Sequence, residues 1–163
     1  MDYPWQRVRR LGRTPTLRTL VRSIRTTPEE LVPYLRVAVD DPGRGAEALA
    51  ERALASGHAA VFLAPSAKRR DAEGSEVWRP DAPLAHALTA ARAATPELVL
   101  IAELDLALFH RSGRPAVVAE GLVDIDAAHD AIGKAGTTLG QAGADVIALR
   151  GQADGGVTAL REA

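Results

Sequence analysis

The chain contains no cysteine among its 163 residues, which excludes disulfides, thiolate metal sites and cysteine nucleophiles together. Their absence fits a reducing cytoplasm. Aromatic residues make up only 4% of the sequence, so no stacking platform for nucleic-acid bases is present. Lysine is confined to Lys68 and Lys134, leaving two candidate amines for any imine chemistry. No uncharged apolar run reaches the ~18 residues of a membrane span. The N-terminal arginines are followed by no apolar h-region of the kind a secretory signal carries. These absences together predict a soluble, cytoplasmic protein.

What is present is an ordinary globular composition, 47% apolar and 25% charged. The length suits one domain able to bury about two-thirds of its unfolded surface. A net charge of −1 conceals an asymmetry: residues 1–36 carry eight arginines against Asp2, Glu29 and Glu30, a net of +5, and the remainder holds −6. A basic arm ahead of an acidic body favours docking on another acidic subunit. Nucleic-acid binding is disfavoured, because only Tyr3 and Trp5 accompany the arginines before Tyr34 and no recognition motif is visible.

Beyond residue 30 the periodicity alternates between strand and helix. Thr14 as N-cap with Pro15 at the first helical position predicts a short helix over about 15–24. "LVPYLRVAV" (31–39) is the first strand, with Pro33 suiting an edge position. "GAEALAERALASG" (45–57) is a helix stopping at Gly57. "HAAVFLA" (58–64) is a strand and "APLAHALTAARAAT" (82–95) a helix ended by Pro96. "LVLIAELDL" (98–106) is a buried strand, "IDAAHDAIGKAGTTLGQAG" (125–143) a helix and "ADVIALR" (144–150) the last strand, with "GGVTALREA" opening another helix. Near-continuous apolar strands separated by helices predict a parallel α/β sheet of four βα units covered by helices. Function in such folds sits on the strand-to-helix side, here residues 65–80, 107–123 and 150–155.

Several collinear segments carry a family likeness. "RVRRLGRTPTLRTLVRSIRTTPEELVPYLRV", "KRRDAEGSEVWRPDAPLAHALTAARAATPELVLIAELDL", "EGLVDIDAAHDAIGKAGTTLGQAGADVIAL" and "DGGVTALREA" together resemble the N-terminal half of porphobilinogen synthase, also called 5-aminolevulinate dehydratase. One internal shortening lies between Val39 and Gly45. The resemblance implies half of a TIM-type (β/α)8 barrel over residues 31–163. A basic N-terminal arm over 1–30 precedes it, and Arg7, Arg9, Arg10, Arg13, Leu17 and Leu20 would embrace a neighbouring subunit.

The family condenses two 5-aminolevulinate molecules into porphobilinogen through Schiff bases on two late lysines. On this alignment both lysine positions fall beyond residue 163, and neither Lys68 nor Lys134 matches them. Many members place three zinc-binding cysteines in and after the third strand, and others place acidic residues there. The corresponding positions here are Asp105, Ala107 and Pro115, of which two offer no donor. The family's serine-and-aspartate turn is Arg150 and Gly151, and the arginine of its "MMDGR" motif is Gly156, with Asp154 and Gly155 retained.

Glu103, Asp105 and His110 are the remaining catalytic and metal-ligand candidates. Positions 103 and 105 share one strand face, so two carboxylates and a histidine could bind magnesium or zinc, or act as acid and base. They could equally line a solvated strand end. No cofactor is otherwise indicated. Asp126, His129 and Asp130 share a helical face, with Asp126 placed to cap the helix. His58 and His86 suit structural roles, and "EGSEVW" suits an interaction loop. "GGVTAL" could cradle an anion.

Four βα units would leave two open sheet edges and an inner face built to be covered. The expectation is a porphobilinogen synthase-like homologue that is non-catalytic, structural or regulatory. It would form a homodimer closing the half-barrel or bind a full-length synthase. The alternatives are an enzyme of altered chemistry on a small amino-ketone or carboxylic acid, and a split synthase active only with a partner half.

Overall fold

A computed structural model describes residues 14–21, 26–114, 117–119, 122–151 and 154–163. Helix α1 (Pro15–Val21) begins where Thr14 Oγ1 accepts the Leu17 N–H at 3.1 Å. A 3-10 turn at Pro28–Glu30 leads to strand β1 (Tyr34–Arg36) and helix α2 (Pro42–Ala55). Strand β2 (Ala60–Ala64), a 3-10 turn at Ser75–Trp78 and helix α3 (Pro83–Ala94) follow. Strand β3 (Val99–Asp105) runs into a one-turn helix α4 (Leu106–Phe109) and then a hairpin of β4 (Val117–Ala119) and β5 (Leu122–Asp124). Helix α5 (Ile125–Gln141), strand β6 (Val146–Arg150) and helix α6 (Gly156–Glu162) complete the order.

The strands of the main sheet are parallel in the order β1-β2-β3-β6. This is the parallel α/β sheet that the apolar runs predict, and it agrees with the half of a (β/α)8 barrel that the resemblance implies. Strand β1 is shorter than the expected 31–39. Pro33 has no N–H to give, yet its carbonyl still accepts the Phe62 N–H at 2.8 Å, which places it at the sheet's edge as its chemistry requires. Helix α2 starts earlier than expected because Asp41 caps it, accepting the Arg44 N–H, with Pro42 in the first turn. The expected loop up to residue 124 contains α4 and the hairpin.

Alternation divides the sheet into two faces. Leu35, Val61, Leu63, Leu100, Ala102, Leu104, Ile147 and Leu149 point to one side and join a core with Ala46, Ala50, Leu88, Ala91, Ile132 and Leu139 of the helices. Alanines on the inward faces of α2, α3 and α5 let those helices approach closely. Each fully buried leucine, such as Leu88 or Leu100, contributes about 1.5–3 kcal/mol by leaving water. The opposite face carries a row in register, Tyr34–Phe62–Ile101–Val146, which lies outside that core, with no helix over it among the described residues. Tyr34 stacks on Phe62 at 5.7 Å between ring centroids, while Tyr34 and Val146 remain 53% and 47% exposed. Among the described residues no helix is long and apolar enough to cross a membrane.

Candidate functional site

The carboxyl ends of β3 and β6 bring charge together. Two-residue spacing puts Glu103 and Asp105 on the face away from the helices, and the sheet register sets Asp105 opposite Arg150. Arg150 Nη1 donates to Glu103 Oε1 at 3.1 Å, and its Nε lies 3.9 Å from Asp105 Oδ2. The pairing is asymmetric: the Glu103 side chain is 5% exposed and that of Arg150 is 65%. The hydrogen bond to Glu103, with the charges of Glu103 and Asp105, raises the already high pKa of the guanidinium. Asp105 Oδ1 is also engaged, accepting the Ala107 N–H at 3.0 Å as the cap of α4.

His110 does not complete this cluster. After Asp105 the chain turns through α4, and His110 pairs by its backbone with Asp71. Its Nδ1 accepts the Ser112 N–H at 3.1 Å and lies 2.6 Å from the Ser112 hydroxyl, so the ring proton of a neutral His110 sits on Nε2. That nitrogen is buried and has no partner in the described structure. Among the described residues no group of three or more histidine and carboxylate side chains converges to hold a metal ion. The three-ligand zinc site implied by the family does not fit here. Asp105 is committed to a backbone cap and faces a cation, Ala107 has no donor, and Pro115 lies outside the described residues.

The loop from 65 to 80 is held by its own carboxylates, a role that spacing alone does not reveal. Asp71 Oδ1 accepts the N–H groups of Glu73 and Ser75, and Oδ2 accepts the Ser75 hydroxyl at 2.5 Å. Burial pushes the Asp71 carboxyl up, but the Ser75 hydroxyl and the backbone N–H groups outweigh it and hold it below the usual aspartate range. Glu76, 5% exposed, accepts the N–H groups of Lys68 and Arg69 at 2.8 and 2.5 Å. Gly74 adopts φ = 70° against the backbone of Phe109 and His110, where a side chain would be strained. Trp78 receives the Thr138 hydroxyl on its carbonyl, and the Lys134 ammonium lies 5.7 Å from its ring. The "EGSEVW" stretch is thus tied to the body of the fold.

The other candidates separate. Asp124, not Asp126, caps α5 by accepting the Ala127 N–H at 2.9 Å, because the helix starts one residue before Asp126. His129 Nε2 meets the Asp154 carbonyl at 2.5 Å, and Asp130 pairs with Lys134. A Cβ at Gly155 would lie 3.0 Å from the His129 ring, so that ring packs directly against the start of "GGVTAL". His58 Nδ1 donates to the carbonyls of Pro28 and Leu31, tying the 3-10 turn to β2. Lys68 and Lys134 are both exposed. Leu17 is half-buried and Leu20 is 80% exposed on α1, while Arg7, Arg9, Arg10 and Arg13 lie outside the described residues.

Parallel strands joined through helices, with polar groups gathered at the strand carboxyl ends, define an α/β fold of four βα units. Comparison with known proteins narrows this: the family model for delta-aminolevulinic acid dehydratase matches residues 34–163, and the chain belongs to that family. It is 28% identical over 181 residues to the dehydratase of Archaeoglobus fulgidus, covering 99% of this chain and 55% of that protein. Against the Escherichia coli K12 dehydratase the figures are 27% identity, 97% and 53%. A crystal structure of the Toxoplasma gondii ME49 enzyme, also called porphobilinogen synthase, in complex with its product porphobilinogen superposes with a TM-score of 0.77 at 26% identity. That match covers 99% of this chain and 50% of the other. The chain spans about half the length of the relatives it matches.

Proposed function

We propose that the chain is a non-catalytic structural or regulatory homologue of porphobilinogen synthase, acting in the cytoplasm by self-association or by binding a full-length synthase. The observation that carries this reading is the Arg150 guanidinium set against Glu103 and Asp105. A guanidinium hydrogen-bonded to Glu103 and facing Asp105 competes with any metal ion for these carboxylates, and an arginine cannot activate water as a Lewis acid does. The row Tyr34–Phe62–Ile101–Val146, flanked by β1 and β6 as the edge strands of the sheet among the described residues, supports association. In the simplest form two copies close on each other, with the arginine-rich arm around the partner.

The test is incubation of the purified chain with 5-aminolevulinate, with and without added zinc or magnesium, followed by a pyrrole-detecting reagent. No pyrrole is expected, and pyrrole formation would overturn the non-catalytic reading. Light scattering at micromolar concentration should give a dimer mass, or co-purification should recover a full-length synthase; a sharp monomer with neither refutes association. A second reading rests on His110, whose buried Nε2 has no partner among the described residues. There the chain is an enzyme of altered chemistry on a small amino-ketone or carboxylic acid; a separate alternative is a split synthase, which condenses 5-aminolevulinate only when a second polypeptide supplies the other half. Mixing with that second half and recovering pyrrole would favour it.

A further inference from the structure

We propose that the cleft at the carboxyl ends of β1 and β2 binds a small organic anion through Lys68 and Arg69. The cleft is about 230 Å³, and its lining includes Asp40, Lys68, Arg69, Arg79, Ala82 and His86. It lies on the strand-to-helix side, where α/β folds place their ligands, but it is formed by the loops after β1 and β2. The Arg150 cluster sits at the ends of β3 and β6.

Three features make it a binding site for negative charge. The backbone of Lys68 and Arg69 is fixed from beneath, because the buried Glu76 carboxylate accepts both of their N–H groups. Their side chains form no hydrogen bond or ion pair among the described residues, so two cations stand at a braced rim with their donors unspent. The acidic lining is largely committed elsewhere. Asp81 is held by both Nε and Nη2 of Arg79, at 2.8 and 3.0 Å, and Glu76 by the backbone. Asp40 opposes Lys68 and Arg69, and the Arg69 charge also reaches Asp81, which Arg79 already holds. The first turn of α3, which has no side-chain cap at Ala82, adds positive potential to the same space.

A fork and a point charge suit the oxygens of a carboxylate or a phosphate. The volume lies below the ~300–1,000 Å³ of sites for drug-sized ligands, so the ligand is a small metabolite with one or two acidic groups.

Calorimetric titration of the full chain at low ionic strength, with inorganic phosphate and separately with succinate, tests the assignment. Saturable binding of at least one is expected, phosphate alone marking a phosphoryl ligand and succinate alone a carboxylate. The Lys68→Gln/Arg69→Gln variant should bind about tenfold more weakly, since two charge-assisted contacts are lost. Its thermal midpoint without ligand should not move, because neither side chain holds the fold. Arg111→Gln/Arg114→Gln, an exposed pair outside the cleft, should bind as the parent does. Absence of saturation with either anion at millimolar concentration would overturn the site, as would equal weakening in both double variants.

Discussion

Strand β3 meets an arginine and carboxylates at each of its ends, and the two arrangements are built differently. At the amino end, Arg92 spends every N–H it has: Nε and Nη2 on the Gly143 carbonyl, Nη1 on those of Pro96 and Leu98, and Nη2 again on Asp145. Asp145 in turn accepts the Leu100 N–H at 2.8 Å. At the carboxyl end, Arg150 makes one hydrogen bond, to Glu103, and leaves most of its fork in solvent. The saturated end fastens the loop before β6 to β3, whereas the unsaturated end retains donors for something else. Barrels of this type concentrate stability at the amino-terminal face of the strands and function at the carboxyl-terminal face, and here one residue type serves both.

The contrast can be broken by exchanging the two arginines for neutral residues. Arg92→Ala should destabilise the chain by about 3 kcal/mol in urea unfolding, because the Gly143 and Leu98 carbonyls and Asp145 lose their partner at once. Arg92→Lys should recover little of it, since an ammonium cannot span four acceptors. A loss no larger than that of an exposed surface substitution would remove the distinction between the ends. Arg150→Ala should lower the urea midpoint less than Arg92→Ala, through the buried Glu103 carboxylate left behind. Adding Glu103→Gln to Arg150→Ala should restore part of the midpoint, and a double variant no better than the single would show that the two do not interact.

Much of this was legible in the residues. Strands β2, β3 and β6 are apolar runs of strand length, and α2, α3 and α5 have apolar residues at helical spacing with proline or glycine at their borders. Period-two spacing correctly placed Glu103 and Asp105 on one face. The hairpin β4–β5 and helix α4 escaped notice because three- and four-residue elements have no period and form only against their surroundings. His110 follows the same apolar run as the carboxylates in sequence, but α4 intervenes and the His110 backbone pairs with Asp71. The partnership of Arg150 with Glu103 spans 47 positions and depends on the register of β3 against β6. The roles of Asp71 and Glu76 depend on which backbone N–H groups a loop turns inward. The expected helix start at 125 is where α5 begins, and the cap is Asp124, the residue just before it, while Asp126 lies inside the first turn.

Acid separates the ends more gently. The N–H of Leu100, and Arg92 after it, hold Asp145 below the ordinary aspartate value, and Asp71 is likewise lowered. A carboxylate depressed in the folded state contributes stability that is fully present above the unfolded value of ~3.9 and is lost as pH falls through the lower folded value. The urea midpoint should therefore hold steady with respect to these groups above about pH 5 and decline below about pH 4. In Asp145→Asn the decline should be shallower from a lower starting point. An unchanged slope would mean that the amino-end carboxylate carries none of it.

The smallest expected effect is at Asp105. Its firm contact is the Ala107 N–H, which an asparagine side-chain carbonyl can accept in the same way, and its approach to Arg150 is 3.9 Å with the cation largely in water. An ion pair that long and that exposed on one side contributes little to stability. Asp105→Asn should shift the unfolding free energy by no more than about 0.5 kcal/mol, whereas Asp105→Ala, which removes the cap, should cost about 1 kcal/mol. If Asp105→Asn instead costs as much as Asp105→Ala, the charge and not the cap is what β3 needs at this end. Arg150 would then be a structural clamp like Arg92, and the two termini of the strand would no longer differ in kind.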